Sequence, residues 1–181
     1  MKKEQYLALM AWTRQTPRRA FFCELLCRAL PAAAGAVYLG FAVWLLIVRS
    51  PALVRYAAVP ALTLALVSVL RRLIGRQRPY ERWKEATPLM RSRRRGQGCP
   101  SRHAASALAI ALAGFTVHPA LGAGLLVAAI GIGLTRVLSG VHFIGDVLCG
   151  YALALLCGIG FLIRKRRERY DGEAFSGGPL L

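Results

Sequence analysis

The chain has 181 residues, of which 56% are hydrophobic, and it carries a formal net charge of +17. Its mean hydropathy is +0.45, and its charges are bunched between long apolar runs. This pattern excludes an ordinary soluble basic protein and predicts a small multi-span membrane protein. The arginine clusters can bind lipid phosphates, an anionic membrane surface or nucleic acid. Nucleic acid ranks last, because the apolar spans leave no soluble domain to enter a groove.

The first 20 residues hold an apolar group between charged ends. This pattern predicts an amphipathic leader over 1–20 that lies as a short helix in the membrane interface, and the alternative is a poorly ordered terminus. Two apolar segments follow, at Ala29–Val48 and Leu53–Leu70. Each is close to the length of about 20 residues that one membrane span needs.

The apolar stretch between residues 104 and 135 is too long for one span. His118-Pro119 divides it, which predicts spans over about 101–117 and 120–137 with His118 in the turn. A last span is predicted over 143–163, and the basic tail over 164–181 is predicted to be disordered. The predicted architecture is therefore an all-α polytopic membrane bundle of about five transmembrane helices with an interfacial leader helix, and residues 21–163 form its transmembrane domain.

Polar side chains occur where these predicted spans begin or end. Because each crossing reverses the side of the membrane, the end of the second span, the start of the third, the end of the fourth and the start of the fifth all emerge at one face. Eight polar residues are thereby predicted to converge: Arg71, Arg78, Ser101, Arg102, His103, Arg136, His142 and Asp146.

The converging side chains suit a phosphate group. Arginine forks match phosphate oxygens, and the start of the third span offers a helix N-terminus that can bind an anion. His142 and Asp146 are spaced i,i+4, so on a helix that begins at His142 they share one face, where the carboxylate can orient the imidazole. The alternative interpretation of this pair is an acidic residue near the positive end of a helix.

A metal site is not predicted. The region lacks the carboxylate cluster that magnesium or calcium needs, and the surrounding arginines oppose zinc binding by the two histidines. The five cysteines show no zinc-site spacing. The chemistry that fits is phosphoryl transfer without a metal or other cofactor, in which one imidazole attacks phosphorus and the other protonates the leaving group.

Three short motifs occur in order: Arg71 with Arg78-Pro79, then Pro100-Ser101-Arg102-His103, then Thr135-Arg136 followed by His142 and Asp146. In these motifs the sequence resembles the type 2 phosphatidic acid phosphatase (PAP2) superfamily of membrane lipid phosphatases. The family motifs are Lys-x6-Arg-Pro, Pro-Ser-Gly-His and Ser-Arg-x5-His-x3-Asp. This chain has Arg71 for the lysine, Arg102 for the glycine and Thr135 for the serine, and no catalytic group is lost.

The resemblance implies a role for each matching residue. His142 would be the nucleophile that forms a phosphohistidine intermediate, Asp146 would orient it, and His103 would be the general acid. The phosphate would be held by Arg71, Arg78, Ser101 and Arg136. Arg102, which stands in place of the glycine, would either add a phosphate contact or crowd the loop. The resemblance also implies that the enzyme works without a metal.

The lipid substrate and the side of the membrane stay open at this stage. The compact plan resembles undecaprenyl diphosphate phosphatases of the superfamily, and phosphatidic acid and phosphatidylglycerol phosphate are the alternatives. A non-catalytic protein that binds anionic lipid is the alternative of another class. Soluble vanadate-binding haloperoxidases also belong to the superfamily, but the apolar spans favour a membrane enzyme. Bacterial relatives of this size imply a multi-pass cell-membrane protein with an extracytoplasmic site, whereas the basic leader and site loop favour the cytoplasmic side. The sequence makes no prediction of oligomeric state.

Overall fold

A computed structural model describes residues 3–90 and 95–159. The predicted tail over 164–181 and the end of the predicted last span lie outside these residues. The described residues form seven helices: α1 (Lys3–Arg14), α2 (Pro17–Ile47), α3 (Ala52–Ile74), α4 (Pro79–Arg82), α5 (Arg102–Val117), α6 (Pro119–Leu138) and α7 (Ile144–Ile159). Helices α2, α3 and α6 are long and apolar enough to cross a membrane, and α5 and α7 are shorter apolar helices. The predicted all-α membrane bundle is confirmed.

The turn between α5 and α6 follows from two adjacent residues. His118 has extended backbone dihedrals, ends α5 and serves as the N-cap of α6. Its Nδ1 accepts a hydrogen bond of 3.2 Å from the backbone N–H of Ala120, and Pro119 occupies the first helical position, where its missing N–H costs nothing. The predicted turn at His118 is thereby confirmed, and α5 and α6 form an antiparallel hairpin.

The centre of the bundle is built from small side chains. Helix α5 buries a series of alanines, namely Ala104, Ala105, Ala107, Ala109, Ala111 and Ala113. A Cβ atom added to Gly114 would lie 3.1 Å from Cα of Gly122 on α6, so the two helices approach more closely there than larger residues permit. Large apolar side chains such as Leu62, Val127 and Leu156 instead point outward and are exposed, as expected for a surface that faces lipid.

The leader forms a helix, as predicted, and one of its faces is buried. Tyr6 and Met10 of α1 lie in a cluster with Ala86 and Phe143, so α1 covers the loops at one end of the bundle. Trp12 is 52% exposed on another face of the same helix. Helix α2 starts at Pro17, well before the predicted start of the first span at Ala29, because Thr16 caps it through a hydrogen bond from the backbone N–H of Arg19.

Candidate active site

The start of α7 brings His142 and Asp146 together. Helix α7 begins at Ile144, one residue after the predicted start of the last span at Phe143, and His142 lies in the preceding turn. Oδ2 of Asp146 accepts a hydrogen bond of 2.9 Å from the backbone N–H of Phe143 and lies 3.6 Å from Nδ1 of His142. Both interpretations of the pair therefore apply, because the same carboxylate caps the helix and faces the imidazole.

The turn between α6 and α7 fixes the backbone of His142. Gly140 has φ of +79°, a conformation that glycine adopts without strain. The backbone N–H groups of Val141 and His142 both donate to the carbonyl of Arg136, each at 3.3 Å. His142 is 2% exposed. Burial lowers the pKa of His142 below its ordinary value, and Asp146 acts in the opposite direction. We therefore expect a neutral imidazole at neutral pH.

Arg71, in the last turn of α3, holds the loop that precedes α5. Its guanidinium donates to the carbonyl of Pro100 at 3.0 Å and also to the carbonyl of Gln97. Arg71 is 3% exposed. An arginine in this environment supplies positive charge and also satisfies buried carbonyls that would otherwise be unpaired. The position of the Arg71 side chain therefore depends on the loop before α5, and the loop depends on Arg71 for the hydrogen bonds of two of its carbonyls.

Arg78 occupies the N-cap position of the short helix α4 and is 7% exposed. Its backbone N–H donates to Oε2 of Glu81 at 3.1 Å, and the same oxygen accepts a second bond from the backbone N–H of Gly96. Glu81 thereby ties the segment after α3 to the loop before α5. The Nε atom of Arg78 is buried and has no hydrogen-bond partner among the described residues, which leaves a donor for a bound ligand.

The start of α5 is joined to the start of α7 through the main chain. The backbone N–H of Ser101 donates to the carbonyl of Asp146 at 2.8 Å. Ser101 is the N-cap residue of α5, and its Oγ atom is buried with no hydrogen-bond partner among the described residues. Arg102 and His103 begin the helix, Arg102 half-buried and His103 exposed. A helix N-terminus with an unused hydroxyl is suited to an anion.

Arg136, near the end of α6, completes the group and connects it to α2. Its Nη2 atom donates to the carbonyl of Cys27 at 2.6 Å, and its buried Nε atom has no partner in the part of the chain described. Cys27 in turn donates from Sγ to the carbonyl of Thr135. The adjacent Thr135 hydroxyl donates to the carbonyl of Ile132 at 2.9 Å, so this hydroxyl faces its own helix.

These segments surround a cavity of about 360 Å³. Six of the eight predicted site residues line it: Arg71, Arg78, Arg102, His103, Arg136 and His142. Ser101 and Asp146 are fully buried and are not among the lining residues. The Ser101 backbone N–H donates to the Asp146 carbonyl, and the Asp146 carboxylate faces His142 in the lining. The described lining includes five arginines and no carboxylate. The structure thus brings together the residues that the span counting predicted, and the resulting space is strongly cationic.

Two contributors to the site were not predicted from the sequence, helix α2 and Arg76. Three residues of α2 also line the cavity, namely Cys27, Arg28 and Pro31. The same count of crossings would have found them, because the first span starts on the face where the second one ends. The other contributor is Arg76, whose Nη1 lies 3.1 Å from Oδ1 of Asp146. Within the described residues, no group of three or more histidine, cysteine or acidic side chains is arranged to hold a metal ion.

Comparison with known proteins agrees with this geometry. The sequence profile of the PAP2 superfamily matches residues 52–170, and the chain belongs to this superfamily of membrane lipid phosphatases. Among curated proteins, no sequence matches the chain significantly.

Two solved structures are similar. LpxE from Aquifex aeolicus matches with a TM-score of 0.67 and 25% identity over 86% of this chain and 93% of that one. The first transmembrane PAP2-type phosphatidylglycerolphosphate phosphatase from Bacillus subtilis matches with a TM-score of 0.52 and 22% identity over 91% of this chain and 92% of that one. At that identity, the second likeness concerns the fold alone.

Proposed function

We propose that the protein hydrolyses a lipid phosphate or diphosphate through a phosphohistidine intermediate, with His142 as the nucleophile. The observation that supports this most is the cationic cavity, in which two imidazoles, His103 at the start of α5 and His142 in the turn before α7, meet arginines from four further segments. A protein that only bound anionic lipid would need the arginines but would have no use for a buried imidazole–carboxylate pair. This contrast favours the enzyme over the binding protein.

The first step is attack on phosphorus by Nε2 of His142, since Nδ1 faces Asp146. As the N–P bond forms, the bond from phosphorus to the leaving oxygen breaks, and His103, protonated once the phosphate anion is bound beside it, donates its proton to that oxygen. Arg71, Arg78 and Arg136, with the Ser101 hydroxyl and the N-terminus of α5, stabilise the equatorial oxygens. Asp146 balances the positive charge that the imidazole gains.

The second step regenerates the enzyme. His103, now neutral, takes a proton from a water molecule that attacks the phosphohistidine, the N–P bond breaks, and inorganic phosphate leaves. Arginines supply the charge stabilisation that a metal ion supplies in other phosphatases. We therefore propose that the reaction needs no metal: activity should persist in EDTA, and vanadate, which resembles the five-coordinate transition state, should inhibit. Loss of activity on chelation, restored by one divalent metal, would contradict this mechanism.

Undecaprenyl diphosphate is the substrate that we propose. Arg102 and Arg28 line the cavity in addition to the three buried arginines, so the site carries more positive charge than a single phosphate requires. A diphosphate supplies a second group for these cations. Phosphatidic acid and phosphatidylglycerol phosphate are the competing substrates. Turnover of the three lipids by purified protein at equal surface concentration distinguishes them, and a preference for phosphatidic acid would exclude the diphosphate assignment.

The test of the nucleophile is His142→Ala. The variant should release no phosphate from a detergent-solubilised lipid phosphate, although it should still bind that lipid. His118→Ala is a matched control, because His118 lies at the turn at the opposite end of α5 and should leave turnover unchanged. Acid-labile labelling of the wild type by a ³²P-labelled substrate, absent in His142→Ala, would identify the intermediate. Undiminished turnover in His142→Ala would refute the assignment, and binding without turnover in the wild type would favour the lipid-binding alternative.

We further propose that the site faces the outside of the cell membrane. Cys99 is a poor probe of this topology, because it is 5% exposed and burial raises the pKa of its thiol to about 11. A cysteine introduced at Lys84, an exposed loop residue at the site end, is a better one. A membrane-impermeant maleimide should label Lys84→Cys in intact cells, and labelling only after lysis would place the site inside.

A further inference from the structure

Arg76 is outside the described lining of the cavity but lies next to Asp146. The Nη1 atom of Arg76 approaches Oδ1 of Asp146 to 3.1 Å, whereas the other carboxylate oxygen, Oδ2, caps α7 and faces His142. Asp146 is fully buried, and the Arg76 side chain is 42% exposed. The Arg76 side chain therefore extends from solvent to the carboxylate of Asp146. It approaches Oδ1, whereas His142 faces Oδ2.

The backbone around Arg76 is fixed by two glycines. Gly75 has φ of +59° and is the C-cap of α3, so the helix ends immediately before Arg76. The carbonyl of Arg76 accepts a hydrogen bond of 2.7 Å from the backbone N–H of Gly98. A Cβ atom at Gly98 would lie 2.9 Å from that carbonyl oxygen, so the close approach requires glycine. These constraints direct the Arg76 side chain toward α7.

The guanidinium itself rests on an aromatic cluster. Cζ of Arg76 lies 5.3 Å from the centre of the Phe143 ring, within the range of a cation–π interaction. Phe143 contacts Trp83 edge-on at 5.2 Å and Tyr6 of α1 at 5.6 Å, and those two rings lie 5.4 Å apart. Phe143 directly follows His142 in the chain, so the cluster holds the catalytic turn and the Arg76 guanidinium in one arrangement.

We propose that Arg76 is a positioning residue that holds Asp146 in place and limits its pull on the His142 proton. A buried carboxylate with no cation beside it would attract a proton to the neighbouring imidazole, and an imidazolium cannot attack phosphorus. Arg76 offsets that charge without touching the substrate cavity, since the described lining of the cavity does not include it. The Arg76–Asp146 ion pair therefore adds to the effect of burial in keeping the nucleophile neutral, and it fixes the carboxylate that orients the imidazole.

The other charged groups around His142 act in the same direction. The charged side chains and the imidazole that face it or share its cavity are Asp146, Arg28, Arg71, Arg78, Arg102, His103 and Arg136. All except Asp146 are cationic or can become so, and they disfavour the imidazolium. Asp146 is the one group in this set that favours it. Removal of Arg76 leaves the negative charge of Asp146 less compensated, so the pKa of His142 is expected to rise.

The test compares Arg76→Gln with Arg82→Gln. Arg76 and Arg82 both line a second cavity of about 590 Å³, so each change removes one positive charge from the same surroundings. Arg82, however, stacks on Trp83 and does not pair with Asp146. The chain has three histidines, so ¹⁵N-histidine NMR in detergent, assigned with His103→Ala and His118→Ala, measures the His142 pKa directly. Arg76→Gln should raise this pKa by about 1 pH unit, and Arg82→Gln should not change it.

The same variants have a kinetic readout. Arg76→Gln should lower kcat by about 10- to 100-fold with little change in KM, because it removes a charge-assisted contact behind the nucleophile. Arg76→Lys, which keeps the charge, should retain the wild-type His142 pKa and recover part of the rate. An unchanged His142 pKa in Arg76→Gln, or an equal loss of rate in Arg82→Gln, would overturn the proposal.

The rate readout rests on the proposed phosphatase function, but the NMR titration does not. If the wild type hydrolysed no lipid phosphate while Arg76→Gln still shifted the His142 pKa, the proposed function would fail and the role of Arg76 would stand. If the wild type hydrolysed lipid phosphate and Arg76→Gln left the His142 pKa unaltered, the proposed function would stand and the role of Arg76 would fail. The two hypotheses can therefore fail separately.

Discussion

The arginines around the cavity form two groups with different environments. Arg71, Arg78 and Arg136 are each less than 8% exposed, and Arg71 and Arg136 donate to backbone carbonyls of other segments. Arg102 is half-buried, and Arg28 is exposed and pairs with Glu24 on its own helix. The first group, which we call the fixed arginines, connects segments of the fold. The second group, the outer arginines, can change without unpairing a buried carbonyl.

This difference indicates that one residue type serves two purposes in the same site. A fixed arginine uses part of its fork for the protein and presents the rest to a ligand, so its position is set before a ligand arrives. An outer arginine adjusts to what is bound. Substitutions should therefore reduce both stability and general activity at the fixed positions, and should alter only substrate preference at the outer ones.

The largest effect is expected for Arg71→Gln. The change leaves the carbonyls of Pro100 and Gln97 without their cationic donor and removes one of the proposed phosphate contacts. We expect a loss of about 3 kcal/mol in stability and of about 10³-fold in kcat/KM. Thermal unfolding and phosphate release in the same detergent measure both. Arg72→Gln, at the adjacent exposed position, is the control and should have little effect on either.

A smaller effect is expected for Arg136→Lys, which keeps the charge. A lysine cannot donate to the Cys27 carbonyl and to phosphate in the planar geometry of a guanidinium. Because a hydrogen bond to a charged group contributes about 1.5–3 kcal/mol, turnover should fall by about 10- to 100-fold on every lipid phosphate tested. Full activity in Arg136→Lys would show that only its charge matters and would remove it from the fixed group.

Arg102→Gly restores the glycine of the family motif and sharpens the comparison. Arg102 is the first residue of α5 and has no positive φ, so the backbone does not require glycine there and the variant should fold normally. We expect kcat/KM for a polyprenyl diphosphate to fall about 10-fold, while the value for the corresponding monophosphate stays close to wild type. An equal fall for both substrates would contradict an outer role.

The smallest effect is expected for Arg28→Gln. Its exposed pair with Glu24 contributes little to stability, so unfolding should be unchanged. The preference for diphosphate over monophosphate should decrease by about 2-fold. The double variant Arg28→Gln/Arg102→Gly should show a larger decrease than either single change. If the double variant matched Arg102→Gly alone, Arg28 would not contact the substrate.

The convergence of the site could be predicted from sequence because it depends only on counting spans. Arg71, Arg102, Arg136 and His142 all lie at predicted span ends, and apolar runs define those ends well. The partner of Asp146 could not be found in this way. Arg76 reaches it from a backbone that leaves α3 at the left-handed Gly75 and is bonded to Gly98, and neither feature has a signal in hydropathy.

The depth at which α1 packs was also beyond sequence reasoning. The leader pattern predicts an amphipathic helix, and Lys3–Arg14 is one. The pattern alone does not show that Tyr6 becomes fully buried against Phe143 and Trp83, because those aromatic partners come from segments far along the chain. The ring of Tyr6 lies 5.6 Å from that of Phe143, the residue after His142, so this leader residue lies beside the candidate active site.

The hydrogen bond from the Ser101 N–H to the Asp146 carbonyl has one further consequence. It joins the segments that carry His103 and His142, and it uses main-chain atoms only. Because no side chain contributes to it, this link between the two segments does not depend on which side chains surround the imidazoles. Site residues that do not hold the loop before α5, as Arg71 does, can therefore be altered one at a time during evolution or in the laboratory, and each such change tests chemistry with this link in place.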